Sequence, residues 1–71
     1  MQVYQKITEL IGHTPLFAPP ELGPEGGYPA RIMLKLECCN PGGSVKDRVA
    51  KAMLDAAEAE GRLKADTVII E

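Results

Sequence analysis

The stretch Asn40-Pro41-Gly42-Gly43-Ser44-Val45-Lys46-Asp47-Arg48 decides how this chain is read. Asn40 to Gly43 is a turn cluster, because proline fixes φ and glycine reaches conformations closed to other residues. Ser44 is a good helix N-cap. Asp47, three residues on, completes a weak capping box and suits the positive end of the helix dipole. A helix is therefore expected to begin at Ser44 or Val45. Val45, Val49, Met53, Ala56 and Ala57 form its apolar stripe, widened by Ala50 and Leu54, while Asp47, Lys51, Asp55, Glu58 and Arg62 lie mostly off it. Gly61 is a natural residue for the position just past the helix end.

The flanks read as strands. Arg31 to Glu37 alternates, with Ile32, Leu34 and Leu36 on one face, the pattern of a half-buried strand. Thr67 to Ile70 is β-branched and apolar, the pattern of a buried one. Strand, helix and strand in that order argue for a parallel sheet. Further back, Tyr4, Ile7, Leu10 and Ile11 make a weakly helical segment that Gly12 ends. Thr14-Pro15 pushes the chain extended, and Leu16-Phe17 begins a short strand. Prolines and glycines make residues 18 to 29 a loop. The expected class is α/β, ordered short helix, strand, loop, strand, Gly-rich turn, long helix, strand. A parallel sheet takes helices on both faces, and one long helix covers only one. The chain is thus expected to be truncated or completed from elsewhere.

Composition bounds the remaining choices. With 71 residues there is room for one small domain, and a chain this size buries only about 60% of the surface its unfolded form exposes. A net charge of −2 with 25% charged residues gives no electrostatic case for nucleic acid. No apolar run approaches the ~20 residues of a membrane span, and no secretory signal opens the chain. Cys38 and Cys39 are neighbours, so a disulfide between them closes no useful loop, and they read as small buried hydrophobes. Free cysteines fit a reducing cytosol, so a cytoplasmic location is expected. A single histidine leaves no Cys/His zinc set, and no metal is expected. Lys35, Lys51 and Lys64 lack a Gly-rich context and read as solvated.

Lys46 is the residue that invites chemistry. It sits in a helix first turn, where the dipole disfavours a cation and should lower the lysine pKa. Imine chemistry needs a neutral amine. Most lysines so placed are simply solvated, and spacing alone leaves both readings open. A phosphate-binding P-loop fails: it needs Gly-Lys-Ser/Thr, whereas two residues separate Gly43 from Lys46 and Asp47 replaces the hydroxyl.

Asn40 to Arg48 resembles the cofactor-lysine motif of the cysteine synthase (O-acetylserine sulfhydrylase) and cystathionine β-synthase family, fold-type II enzymes of pyridoxal 5'-phosphate. Ile11-Gly12-His13-Thr14-Pro15-Leu16 is similar to the family's N-terminal signature. Ala30 to Glu37 is similar to the strand leading into the motif, and Ala56 to Glu71 to its helix end and next strand.

The resemblance implies that residues 1–71 are the N-terminal part of such an enzyme. Lys46 would carry pyridoxal 5'-phosphate as a Schiff base and, once freed, remove the substrate's α-proton. Acetate would leave O-acetylserine and sulfide would add, giving L-cysteine. The Gly42-Gly43 turn and Ser44 would place Lys46, while Asp47 and Arg48 would hold the helix start. His13 would make a structural hydrogen bond. The family is typically homodimeric. A cystathionine β-synthase-like lyase and an inactive interaction module, pairing through an exposed Thr67–Ile70 strand, are the alternatives. The family's substrate loop, phosphate cradle and pyridine-nitrogen partner have no counterpart in these residues, so the chain alone is expected to be inactive.

Overall fold

The computed structural model describes residues 1–70. Its longest element, helix α1, spans Lys46–Ala59. Ahead of it lie β1 (Leu16–Phe17) and β2 (Leu34–Lys35), and single 3-10 turns at Ile7–Leu10, Pro20–Leu22, Pro24–Gly26 and Glu37–Cys39. The chain is thus mixed α/β.

Helix α1 ends as its sequence dictates. Gly61 has φ of 72°. The Gly61 N–H donates to Glu58 O at 3.0 Å, and the Arg62 N–H to Ala57 O at 2.9 Å. These two bonds form a Schellman motif, whose left-handed residue is most easily glycine. The start lies one or two residues later than expected. Val45 is the cap residue, and Ser44 stands just outside it, its Oγ accepting the Lys46 N–H at 3.0 Å. The expected capping box is not formed. Asp47 instead reaches back along the turn to the Gly42 N–H, at 2.5 Å.

The sheet corrects three expectations. β1 and β2 pair antiparallel, with Leu16 opposite Lys35 and Phe17 opposite Leu34. The parallel sheet expected from Arg31–Glu37 and Thr67–Ile70 is not formed among the described residues. The Arg31–Glu37 strand shrinks to Leu34–Lys35, because its partner is only two residues long. The pairing extends by one bond, Leu36 N–H to Pro15 O at 3.0 Å, and stops where Pro15 offers no N–H of its own. Thr67–Ile70 forms no strand. Its β-branched residues have the propensity, but no neighbouring edge supplies hydrogen bonds among the described residues. The Tyr4–Ile11 helix is reduced to the 3-10 turn Ile7–Leu10. The 18–29 loop contains two more such turns, tied to the next segment by Ile32 N–H to Leu22 O at 2.9 Å.

Among the described residues no apolar side chain is buried. The α1 stripe has the expected pattern but faces solvent, Val49 at 58% and Met53 at 67% exposure. What the fold buries is polar: Thr14 at 6% and Asn40 at 4% exposure.

Gly61→Ala tests the helix terminus. An added Cβ meets nothing within 4 Å, so the cost is purely that of a left-handed L-residue, about 1–2 kcal/mol. The expected outcome is a lower thermal midpoint of the helical far-UV circular dichroism; an unchanged midpoint contradicts it.

Candidate functional site

Asn40 closes the Gly-rich turn onto its surroundings. Its Oδ1 accepts the Gly12 N–H at 2.8 Å. Its Nδ2 donates to Glu37 O and Ser44 O, both at 3.0 Å, and lies 3.1 Å from Glu37 Oε1. The Gly43 N–H donates to Asn40 O at 2.8 Å. With Gly43 at φ of 80°, the chain reverses and is delivered to Lys46 at the first residue of α1. An aspartate-like short amide suits this role because it bonds backbone groups on both sides of a turn.

Arg48 connects the same cluster to α1. Its Nε donates to Glu37 Oε1 at 2.6 Å and its Nη2 to Glu37 Oε2 at 3.0 Å, a bidentate pair. Nη2 also donates to Gly12 O at 3.1 Å. Thr14 Oγ1 donates to Glu37 Oε2 at 2.6 Å. The hydrogen bonds from Arg48, then those from Thr14, hold the Glu37 carboxyl at about 2 against opposing desolvation. Glu37 in turn pushes Arg48 upward from its ordinary value. Gly12 must be small and left-handed here: its φ is 85°, and a Cβ would lie 2.8 Å from Arg48 Nη1.

Lys46 is exposed, and its ammonium has no hydrogen-bond or ion-pair partner among the described residues. Two other lysines near it in sequence are engaged. Lys51 pairs with Asp55 at 2.5 Å. Lys35 donates to Thr14 O at 2.6 Å and so is not merely solvated as expected.

The structure brings Arg48 and Asp47 to the helix start, as read from the sequence. It also recruits Glu37, Asn40 and Thr14, which sequence reasoning passed over as strand face, turn residue and connector. The signal was there for Asn40 alone, an Asn opening a Pro-Gly-Gly turn. Two further expectations are corrected. Cys38 and Cys39 are exposed rather than buried, because the 3-10 turn carrying them has no apolar layer against it. His13 is exposed, and only its backbone N–H is bonded among the described residues, to Leu10 O at 3.2 Å.

The glycine turn thus delivers an unpaired lysine to a helix start that is held by the buried Asn40 and the bidentate Arg48. The family model described as pyridoxal-phosphate dependent enzyme matches residues 7–71, and the chain belongs to that family, whose cofactor is pyridoxal phosphate. Among curated relatives, the chain is 49% identical over 57 residues to the cystathionine beta-synthase of Saccharomyces cerevisiae, covering 80% of this chain and 11% of that protein. It is 46% identical over 71 residues to the probable cysteine synthase of Bacillus subtilis, covering 100% of this chain and 22% of the relative. It is 45% identical over 65 residues to cysteine synthase B of Escherichia coli, covering 92% and 21%. The chain therefore spans at most about a fifth of the length of these relatives. No helix among the described residues is long and apolar enough to cross a membrane.

The Glu37 cluster makes a pH prediction. Its carboxyl sits near 2 in the folded chain against 4.5 for an ordinary glutamate. The stability it contributes is complete above 4.5 and is lost as pH falls through about 2. Carbon-detected NMR titration of the Glu37 carboxyl should give a midpoint near 2. Arg48→Lys, which removes the planar fork, should raise it. An ordinary midpoint in the unsubstituted chain would rule out the bidentate pair.

Proposed function

We propose that residues 1–71 are the N-terminal part of a fold-type II pyridoxal-phosphate enzyme in which Lys46 holds the cofactor. The observation that carries this is the unpartnered Lys46 ammonium at the first residue of α1, directly after the Gly42-Gly43 turn. The residues present fit covalent attachment. Lys46 is exposed, and the space around Gly43 is open, with nothing within 4 Å of a Cβ built there. When bound, the cofactor supplies an electron sink for charge developing at the substrate's α-carbon. Lys46 Nζ is the group on this chain that would hold it and, when released, take the α-proton. Ser44, through the Lys46 N–H, and Asp47, through the Gly42 N–H, fix the backbone from which Lys46 projects. Asn40 and Arg48 act further back, keeping the turn closed on Gly12.

The proposed reaction is that of a cysteine synthase: O-acetyl-L-serine loses acetate and sulfide takes its place, giving L-cysteine. Similarity to two cysteine synthases over nearly the whole chain supports it. A second reading, a cystathionine β-synthase-like lyase with the same lysine, draws on the 49% identity to the yeast protein over 57 residues. The proposal extends to a homodimeric, cytoplasmic whole enzyme. Lys46 is the one covalent anchor in this proposal, and no apolar side chain is buried among the described residues, so catalysis by this chain alone is not expected.

Two measurements follow. Incubation with pyridoxal phosphate, borohydride reduction and peptide mapping should place the label on Lys46; labelling spread evenly over the lysines, unchanged in Lys46→Ala, sinks the assignment. The 71-residue chain given O-acetylserine and sulfide should form no more cysteine than Lys46→Ala does.

A further inference from the structure

Cys38 and Cys39 lie in sequence between Glu37 and Asn40, two members of the cluster that organises the site, yet take no part in the proposed reaction. Both thiols are free and exposed. They occupy the last two positions of the 3-10 turn Glu37–Cys39, which is held by Cys39 N–H to Leu36 O at 3.0 Å and Asn40 N–H to Glu37 O at 3.1 Å. The residue before them, Glu37, holds Arg48 and Thr14. The residue after them, Asn40, holds Gly12 and Ser44. Whatever joins the two sulfurs therefore acts on the short segment that fixes the entry to α1. The Cys39 thiol is pushed up from its ordinary value by desolvation first and by the neighbouring Cys38 second.

The geometry of a bond between them sets its character. Neighbouring Cα atoms across a trans peptide lie about 3.8 Å apart, below the ~4.4–6.8 Å that relaxed disulfides span. A bond closed there encloses no intervening residue, so it cannot stabilise the fold by restricting the unfolded chain. Its closure bends the local backbone instead. Strained, exposed disulfides are also the easily reversed ones. Strain, reversibility and position on the turn together describe a switch rather than a staple.

We propose that Cys38 and Cys39 form a vicinal dithiol site that exchanges with low-molecular-weight disulfides, and that its closure releases Asn40 from Gly12 and Ser44 and loosens the start of α1. One cysteine thiolate attacks the reagent disulfide. The reagent S–S bond breaks, a mixed disulfide forms, and one reagent thiolate leaves. The second cysteine thiolate attacks the protein sulfur of that mixed disulfide, forming the Cys38–Cys39 bond and expelling the second reagent thiolate. The two cysteine protons end on the two released thiols. The pair is oxidised by two electrons and the reagent is reduced by two. This site does not depend on the role assigned to Lys46.

The test treats the reduced 71-residue chain with glutathione disulfide, followed by mass spectrometry and amide proton–nitrogen correlation NMR. The expected product lacks two hydrogens on the peptide carrying both cysteines and retains no glutathione. The amide signals of Gly12 and Lys46 should shift with closure and return with excess reduced glutathione. Cys38→Ser and Cys39→Ser should each stop at the mixed disulfide, and the double variant should show neither mass change nor shift. Persistent glutathione on the unsubstituted chain, a disulfide-linked dimer, or closure that leaves Gly12 and Lys46 unmoved would each overturn the proposal.

Discussion

The Glu37 carboxylate accepts hydrogen bonds from Thr14, Asn40 and Arg48, and so joins three stretches of chain that are distant in sequence. Because no apolar side chain is buried among the described residues, this polar cluster does the organising that a hydrophobic core does elsewhere. Thr14 and Asn40 are its most enclosed side chains, and every hydrogen bond they make is needed to keep a buried polar group satisfied. Glu37 meets that need for both at once. It also keeps its charge under ordinary conditions because Arg48 and Thr14 stabilise the ionised form.

The same cluster explains why the first turn of α1 has three polar side chains with three different fates. Residues one or two apart on a helix do not share a face. Arg48 turns toward Glu37 and Gly12, Asp47 turns back to the Gly42 N–H, and Lys46 is left to solvent. A lysine is thereby kept out of the ion pairing around it while its backbone is held by Ser44.

The vicinal cysteines place two free thiols beside this arrangement. They sit between Glu37 and Asn40, the two residues through which the turn grips the remainder of the site. Their position ties the geometry of the Lys46 turn to the state of two exposed sulfurs. No other pair of cysteines occurs in the chain.

Several local signals were legible, although the Ser44 capping box and the Tyr4–Ile11 helix were not borne out. The glycine at position 61 and its Schellman bonds, the glycine turn, the extent of α1 to within two residues and the apolar stripe along it all follow from short-range sterics and hydrogen bonding. The motifs around Lys46 likewise pointed to a pyridoxal-phosphate family, which the family model matches. The short strand at Leu16–Phe17 was legible, but the length and pairing of the other strands were not, because β-propensity becomes a strand only where a partner edge is present. Thr67–Ile70 lacks one among the described residues, and Arg31–Glu37 meets only two residues of β1. The cluster of Glu37, Asn40, Thr14 and Arg48 was equally hidden, since its members are drawn together across up to 34 positions by charge and hydrogen bonding. The sequence by itself determined the helix, its C-terminal glycine cap and the lysine presented in its first turn. Only the tertiary structure decided which polar groups hold that start in place, because a side chain's partner depends on contacts that no local pattern encodes.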